Sequence, residues 1–247
     1  MEVALAPLVT ACASLPLVEV ERVVRQWWAD VVARAGELEA TGGVGTVSVA
    51  AESLRLRVGL PWADGLSEGF VATQIPDCFQ ATVVAPDNSF GERFLTALEA
   101  DAFGGTHEAL ALAMGNTITR ELDALDIRDR EVAGFACRVI ASDDTTFVPN
   151  ILMGLEHFTP GSPLHGLLVA VPSSHCVVVA PVSNRRELGF ARELAGVAAT
   201  MHASARAPMT PDVFWLRNRR FRHVGLTESG GLLLPPELQT GVDGMPD

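Results

Sequence analysis

From Leu17 the apolar positions recur at steps of three and four. Leu17, Val20, Val23, Val24, Trp27, Trp28, Val31, Val32 and Ala35 fall on one side, with Glu19, Glu21, Arg22, Arg25, Asp30 and Arg34 between them. That period predicts an amphipathic helix with acids in its first turn and Gly42-Gly43 as its stop. The period then changes to two. Val47 and Val49, then Leu54, Leu56 and Val58, alternate with polar positions and predict a hairpin that turns near Ala51-Glu52 and ends at Pro61. Residues 70–75 and 79–85 predict two further strands around Pro76-Asp77, and residues 90–100 a short helix after the Asp87-Asn88 turn. Gly104-Gly105 breaks that helix and Thr106 is placed to cap the next. Leu110, Ala113, Met114, Thr117, Ile118 and Leu122 carry it to about residue 125.

The second half predicts a strand over residues 133–141, with Cys137 in it, and a helix over 148–158 that opens on Pro149. Residues 166–171 and 176–182 are near-continuous apolar runs joined by Pro172-Ser173-Ser174-His175, the strongest hairpin signal in the chain. A helix is expected over 188–201. A last hairpin around Asn218 pairs Val213-Phe214-Trp215-Leu216 with Phe221-Arg222-His223-Val224. The segment from Leu234, rich in proline and glycine, predicts a loose tail. Helices and antiparallel hairpins alternate without a strict βαβ succession. The fold class is therefore α+β, with antiparallel hairpins and sheets packed against several amphipathic helices. Three portions are expected: an N-terminal α+β portion over 1–103, a C-terminal α+β portion over 104–230, and the tail over 231–247.

Within the C-terminal portion the order of elements carries short motifs. A helix holds Ala113-Met114-Gly115-Asn116, a strand follows, and the next helix opens on Asn150-Ile151-Leu152. A strand pair is then joined through Ala170-Val171-Pro172-Ser173 and followed by a long helix. From Thr106 to about Val224 this arrangement resembles the C-terminal half of the YtpQ-like proteins, a bacterial family of unknown function. In that family Pro-Ser is usually followed by Arg-Asp, where this chain has Ser174-His175. The resemblance implies a fold and brings no reaction with it.

Composition narrows the chemistry. The 247 residues are 48% hydrophobic and 19% charged, which suits a packed core rather than disorder. The chain has no tyrosine, and all 18 of its Lys and Arg positions are arginine. A lysine-free chain has no Schiff-base lysine, no P-loop lysine and no kinase-type lysine. The formal charge is −12 and unevenly spread: residues 1–160 carry 23 acids against 10 arginines, and residues 161–223 carry 3 against 8. An acidic field of this kind disfavours nucleic acid and anionic membrane as partners. The basic run Arg217, Arg219, Arg220 and Arg222 reads as a solvated strand face or a docking site for the chain's own acids. Cys12, Cys78, Cys137 and Cys176 lie 66, 59 and 39 positions apart, without zinc spacing, and read as thiols of a reducing cytoplasm. The lipoprotein-like box ending at Cys12 lacks a basic leader, and no apolar run is long enough to span a bilayer. Cytoplasmic localisation is expected.

Two groups of residues carry candidate chemistry. Ser173, His175 and Cys176 bring a hydroxyl, an imidazole and a thiol to one turn, the side chains of nucleophilic catalysis. Adjacent strand residues face opposite ways, however, so His175 is poorly placed to activate Cys176. Asp123, Asp126, Asp129, Glu131, Asp143 and Asp144 form an acidic group around one connection, without the turn glycine of a calcium loop. The six histidines show no ligand-pair spacing, and Gly42-Gly43-Val44-Gly45 leaves a helix rather than opening one. No metal and no cofactor are expected. The leading functional expectation is an accessory or binding protein whose acidic surface recognises a basic protein or peptide. An immunity-type protein that blocks a basic toxin is a special case of it. The alternative is a small-molecule enzyme of a specialised biosynthetic pathway, with a spatially assembled His/Cys/carboxylate site.

Overall fold

The longest strand of the first sheet is Phe79–Asp87, and every other strand of that sheet pairs with it. The computed structural model describes residues 49–62, 69–87, 91–123, 125–159, 163–227, 231–242 and 244–246. The helix expected over 17–35, the Cys12 box and the glycines at 42–45 lie outside the described residues. Strand β1 (Arg55–Gly59) runs antiparallel along one edge of β3 (Phe79–Asp87). Strands β2 (Ala72–Ile75) and β4 (Gly91–Phe94) follow one another along its other edge. The alternation through Leu54, Leu56 and Val58 is as expected, and those three side chains are buried. The expected partner is corrected: Arg55 pairs with Val84 and Gly59 with Gln80, while Ala51–Ser53 forms a 3-10 turn. Period two marks a strand but not the neighbour that completes its ladder. The short helix expected over 90–100 divides in the same way, into β4 and the four-residue helix α1 (Ala97–Ala100). Thr96 and Glu99 start α1 with a reciprocal capping box, in which Glu99 N donates to Thr96 Oγ1 and Thr96 N to Glu99 Oε2.

Gly104 and Gly105, at φ 94° and 112°, turn the chain into helix α2 (Thr106–Glu121). Gly105 holds the cap position and Thr106 does not cap; the helix ends at Glu121, one turn earlier than its apolar period. Its buried Thr117 hydroxyl accepts from Leu56 N at 2.8 Å and donates to Ala113 O at 2.7 Å. Asn116 Nδ2 donates to Ala51 O and Leu54 O. These bonds tie α2 to β1 across residue 103, and the chain from Ala50 onward clusters as one compact unit.

The second sheet has seven antiparallel strands: β5 (Asp126–Val132), β6 (Phe135–Ala141), β7 (Leu167–Ser173), β8 (Cys176–Pro181), β9 (Val213–Arg217), β10 (Arg220–Leu226) and β11 (Leu232–Leu233). Their order is β11-β10-β9-β7-β8-β6-β5. The β7–β8 hairpin sits near the middle, and its unbroken apolar run reflects burial on both faces. On one face lie α3 (Arg185–Gly189), α4 (Ala191–Ser204) and α5 (Pro236–Val242). From them Leu188, Leu194, Ala198 and Leu238 pack against Leu168, Val178, Val213 and Trp215. Elsewhere Phe79 of the first sheet meets Phe214 and Phe221 at ring separations of 4.8 and 5.2 Å. The aromatic contact joins the two sheets.

Three further expectations change. Residues 148–158 form a 3-10 stretch, Val148–His157, rather than an α-helix, with a break at Gly154 (φ −145°, ψ 42°) that interrupts the bonding ladder. Asp126, Asp129 and Glu131 lie not in a connection but in the strand β5. The expected loose tail carries β11 and α5, because Leu238 is fully buried and Pro236 opens the helix, as proline does in a first turn. The hairpin around Asn218 forms as expected, with Asn218 and Arg219 at φ 51° and 61°, the signs a type I′ turn needs. Among the described residues no helix is long and apolar enough to cross a membrane.

Candidate functional site

Ser173, Ser174, His175 and Cys176 close the β7–β8 hairpin. His175 N donates to Ser173 Oγ at 3.2 Å, which makes that hydroxyl part of the turn. The His175 ring Nδ1 lies 3.1 Å from Ser142 O, and Ser142 N donates back to His175 O at 3.1 Å. A carbonyl oxygen only accepts, so Nδ1 carries the hydrogen of this bond. Cys176 packs instead into the core beneath α3 and α4, and burial pushes its thiol up to about 11. The histidine is thus tethered to the loop after β6, while the thiol points into the helix-covered face. Ser174 Oγ is buried with no hydrogen-bond partner among the described residues.

The thiols follow their surroundings. Cys137 and Cys176 are buried and Cys78 is half-buried, all three free; Cys12 lies outside the described residues. Burial also raises the Cys78 thiol, with the Asp77 charge adding to it. At pH 8 a thiol titrating at about 11 is thiolate in roughly one molecule in a thousand. Brief treatment of the folded chain with iodoacetamide is therefore expected to leave Cys176 unlabelled while Cys78 reacts, as read by peptide mass spectrometry. Fast labelling of Cys176 would restore it as a nucleophile.

The six acids are distributed by the register of β5 on β6. Directly paired residues share a face, so Asp126, Arg128 and Arg130 lie with Ala141, Val139 and Cys137 on the side of α3 and α4. Ile127, Asp129 and Glu131 lie on the other side. Asp129 receives a two-pronged bond from Arg138, at 2.7 and 3.0 Å, which holds its carboxyl below the usual range; the hydrogen bond is the dominant cause. Asp126 pairs with Arg128. The Asp126–Ala141 pair brings Asp123 and Asp126 to the end of the ribbon from which Asp143 and Asp144 emerge, and all four are exposed. The expected single acidic surface is therefore two: a carboxylate end, and a strand on which acids alternate with arginines.

The backbone of β5 adds a feature the sequence pattern did not show. Among the described residues β5 ends the seven-stranded sheet, and its residues from Asp126 to Glu131 are exposed. The two-residue turn Ala133-Gly134, at φ 51° and 79°, makes Val132–Phe135 the first hydrogen-bonded pair. Alternation then turns the N–H and C=O groups of Ile127, Asp129 and Glu131 away from β6, along the open edge. Seven residues of edge strand thus present a template for a further strand.

Two arginines of the basic run dock the chain's own acids. Arg222 pairs with Asp77 and, at 3.5 Å, with Glu237; Arg219 pairs with Glu156 at 3.2 Å; Arg217 lies over the Trp215 ring. Beside it His223 Nε2 is 3.3 Å from Asp212 Oδ1, whose other oxygen accepts from Thr210 Oγ1 at 2.7 Å. This imidazole–carboxylate pair is half exposed and did not stand out in sequence. Among the described residues no group of three or more His, Cys, Asp or Glu side chains is placed to hold a metal ion.

The fold thus defines an α+β protein of two antiparallel sheets, one of which ends in an open, charged edge. No protein-family model, no curated protein and no solved structure matches the chain.

Proposed function

We propose that the protein is an accessory binding protein that recognises a basic protein or peptide as an added strand along β5. The observation that carries this reading is the edge itself: a seven-residue strand, exposed over most of its length, with three residues turning backbone donors and acceptors outward. The acids supply the selectivity. A strand laid against β5 passes Asp129 and Glu131 on one face and ends beside Asp123, Asp126, Asp143 and Asp144, so basic side chains are favoured at those positions. A second copy of the chain fits this edge poorly. Pairing β5 with itself about Asp129 sets Asp129 against Asp129 and Arg128 against Arg130, and like charges directly opposite one another are destabilising. An immunity-type role against a basic toxin is one form of this reading.

Two variants test it with an immobilised peptide of alternating Thr and Arg. Neutralising the open carboxylates as D123N/D143N/D144N is expected to weaken binding about tenfold, since each exposed pair contributes up to about 1 kcal/mol. The Ile127→Pro change removes an outward N–H while leaving the β6 ladder whole, and is expected to abolish binding without lowering the melting temperature. Binding that survives both changes would sink the proposal.

A further inference from the structure

A cleft of about 660 Å³ opens beside the β9–β10 turn, several strands from β5 in the sheet. The β2–β3 hairpin, the 3-10 stretch Val148–His157, the segment before β7 and the β9–β10 turn each contribute to its wall. The volume falls within the range of small-molecule sites, about 300–1,000 Å³. Its apolar lining includes Ile75, Leu152, Met153, Leu164, Leu216 and Phe221. Two of these are costly to leave in water: Leu164 is 77% exposed and Met153 36%. Gly166 lines it too, where the chain approaches β9 so closely that a Cβ would stand 2.3 Å from Leu216 O. Glu156, Arg217 and Arg219 also line the cleft: Glu156 and Arg219 neutralise one another at 3.2 Å, while the Arg217 guanidinium lies over the Trp215 ring and beside Gly241 of α5. Its uncharged hydrogen-bonding side chains are Thr73, Gln74, Thr159 and Asn218.

We infer that this cleft binds an uncharged, hydrocarbon-rich small molecule carrying one or two hydrogen-bonding groups. The apolar wall supplies the affinity, through surface that is now in contact with water. The charges supply the selection, because Glu156 and Arg219 are paired with one another and the Arg217 guanidinium is taken up at Trp215 and α5, so an ionised ligand would lose hydration without recompense. The site is independent of the strand proposed to add along β5: it uses different elements and the opposite chemistry.

Two probes with one aromatic body separate the outcomes. The full chain is titrated with N-phenyl-1-naphthylamine, which is neutral, and with 8-anilino-1-naphthalenesulfonate, which carries a negative charge. Saturable one-to-one binding of the neutral probe is expected, at least tenfold tighter than that of the sulfonate. The Leu164→Asp change, at an exposed position that folding does not depend on, is expected to weaken the neutral probe tenfold or more. Leu98→Asp, at a position 70% exposed on α1, is expected to leave it unchanged. Glu156→Gln frees Arg219 and is expected to tighten the sulfonate about threefold, the scale of an exposed ion pair. Non-saturable uptake, equal binding of both probes, or equal losses in the Leu164 and Leu98 variants would each overturn the inference. Loss of peptide binding at β5 would not touch it.

Discussion

Gly166→Ala is expected to be among the most damaging single-methyl substitutions in the described chain. Gly166 sits at φ +95°, where the chain turns from the Pro163–His165 segment into β7. Its carbonyl accepts from Val182 N at 2.9 Å and its N–H donates to Pro163 O at 3.2 Å, so the conformation is fixed from both sides. An alanine Cβ would lie 2.3 Å from Leu216 O and 2.9 Å from Trp215 Nε1. Neither atom can yield cheaply. Leu216 belongs to a paired strand, and the Trp215 indole donates to His165 O at 2.7 Å from an almost fully buried position. Left-handed backbone costs a non-glycine residue about 1–2 kcal/mol, and overpacking adds about 1–3 kcal/mol, so a loss of about 4 kcal/mol is expected. In a unit of this size that lowers the melting temperature by about 10 °C. Gly134→Ala is the internal comparison, since Gly134 has φ +79° but nothing within 4 Å of where its Cβ would stand. It is expected to cost only about 1 kcal/mol. Calorimetry on the two variants separates the parts: equal losses would mean that the approach of β9 to Gly166 contributes nothing.

The elements legible in the sequence are those whose signal is local. Residues 166–171 and 176–182 spell out β7 and β8, and Asn218 between two apolar runs spells out the β9–β10 turn, because period and turn chemistry lie within a few residues. Partners are not local. Nothing near Leu54, Leu56 and Val58 says that β3 lies beside them, since the pairing of Arg55 with Val84 spans a stretch in which β2 is also made. β5 is hidden for a different reason. A strand exposed on both faces has no apolar period, so Asp126-Ile127-Arg128-Asp129-Arg130-Glu131 reads as a charged loop until the Ala133-Gly134 turn folds it onto β6. The acids are therefore recognisable as a group but not as a ladder. The tail shows how little apolar signal docking needs: Leu238, with Val242 packed beside the same core, anchors α5. The cleft draws on segments spread from Thr73 to Phe221, and its only local sign is Leu164, an apolar residue just after Pro163 in an expected loop. Ser173, His175 and Cys176 are neighbours in sequence, and the fold separates them: the turn takes up the first two while the core takes the third.

The free edge of β1 is closed by a side-chain amide, and removing it is expected to cost about 3 kcal/mol. Asn150 enters from the 3-10 stretch and behaves as one more peptide group: its Oδ1 accepts from Val58 N at 3.0 Å and its Nδ2 donates to Leu56 O. All three residues are buried, so water cannot take the amide's place. Asn150→Ala leaves one backbone donor and one acceptor unpaired, each at about 1–3 kcal/mol. Thr117→Val removes the acceptor for Leu56 N along with the donation to Ala113 O, leaves one strand donor unpaired, and is expected to cost about half as much. Asn150→Asp tells whether the donor matters. A carboxylate keeps the acceptor for Val58 N but sets a second acceptor against Leu56 O, and only its protonated form restores the donor. Its folded pKa is therefore raised above the unfolded value, so its stabilising contribution is present at low pH and lost as pH rises through the folded pKa. Relative to N150A, N150D is expected to be more stable at pH 4 than at pH 7 in urea unfolding. If the two variants keep the same difference at both pH values, or if N150A costs less than about 1 kcal/mol, then the amide does not close the β1 edge and another group must satisfy it.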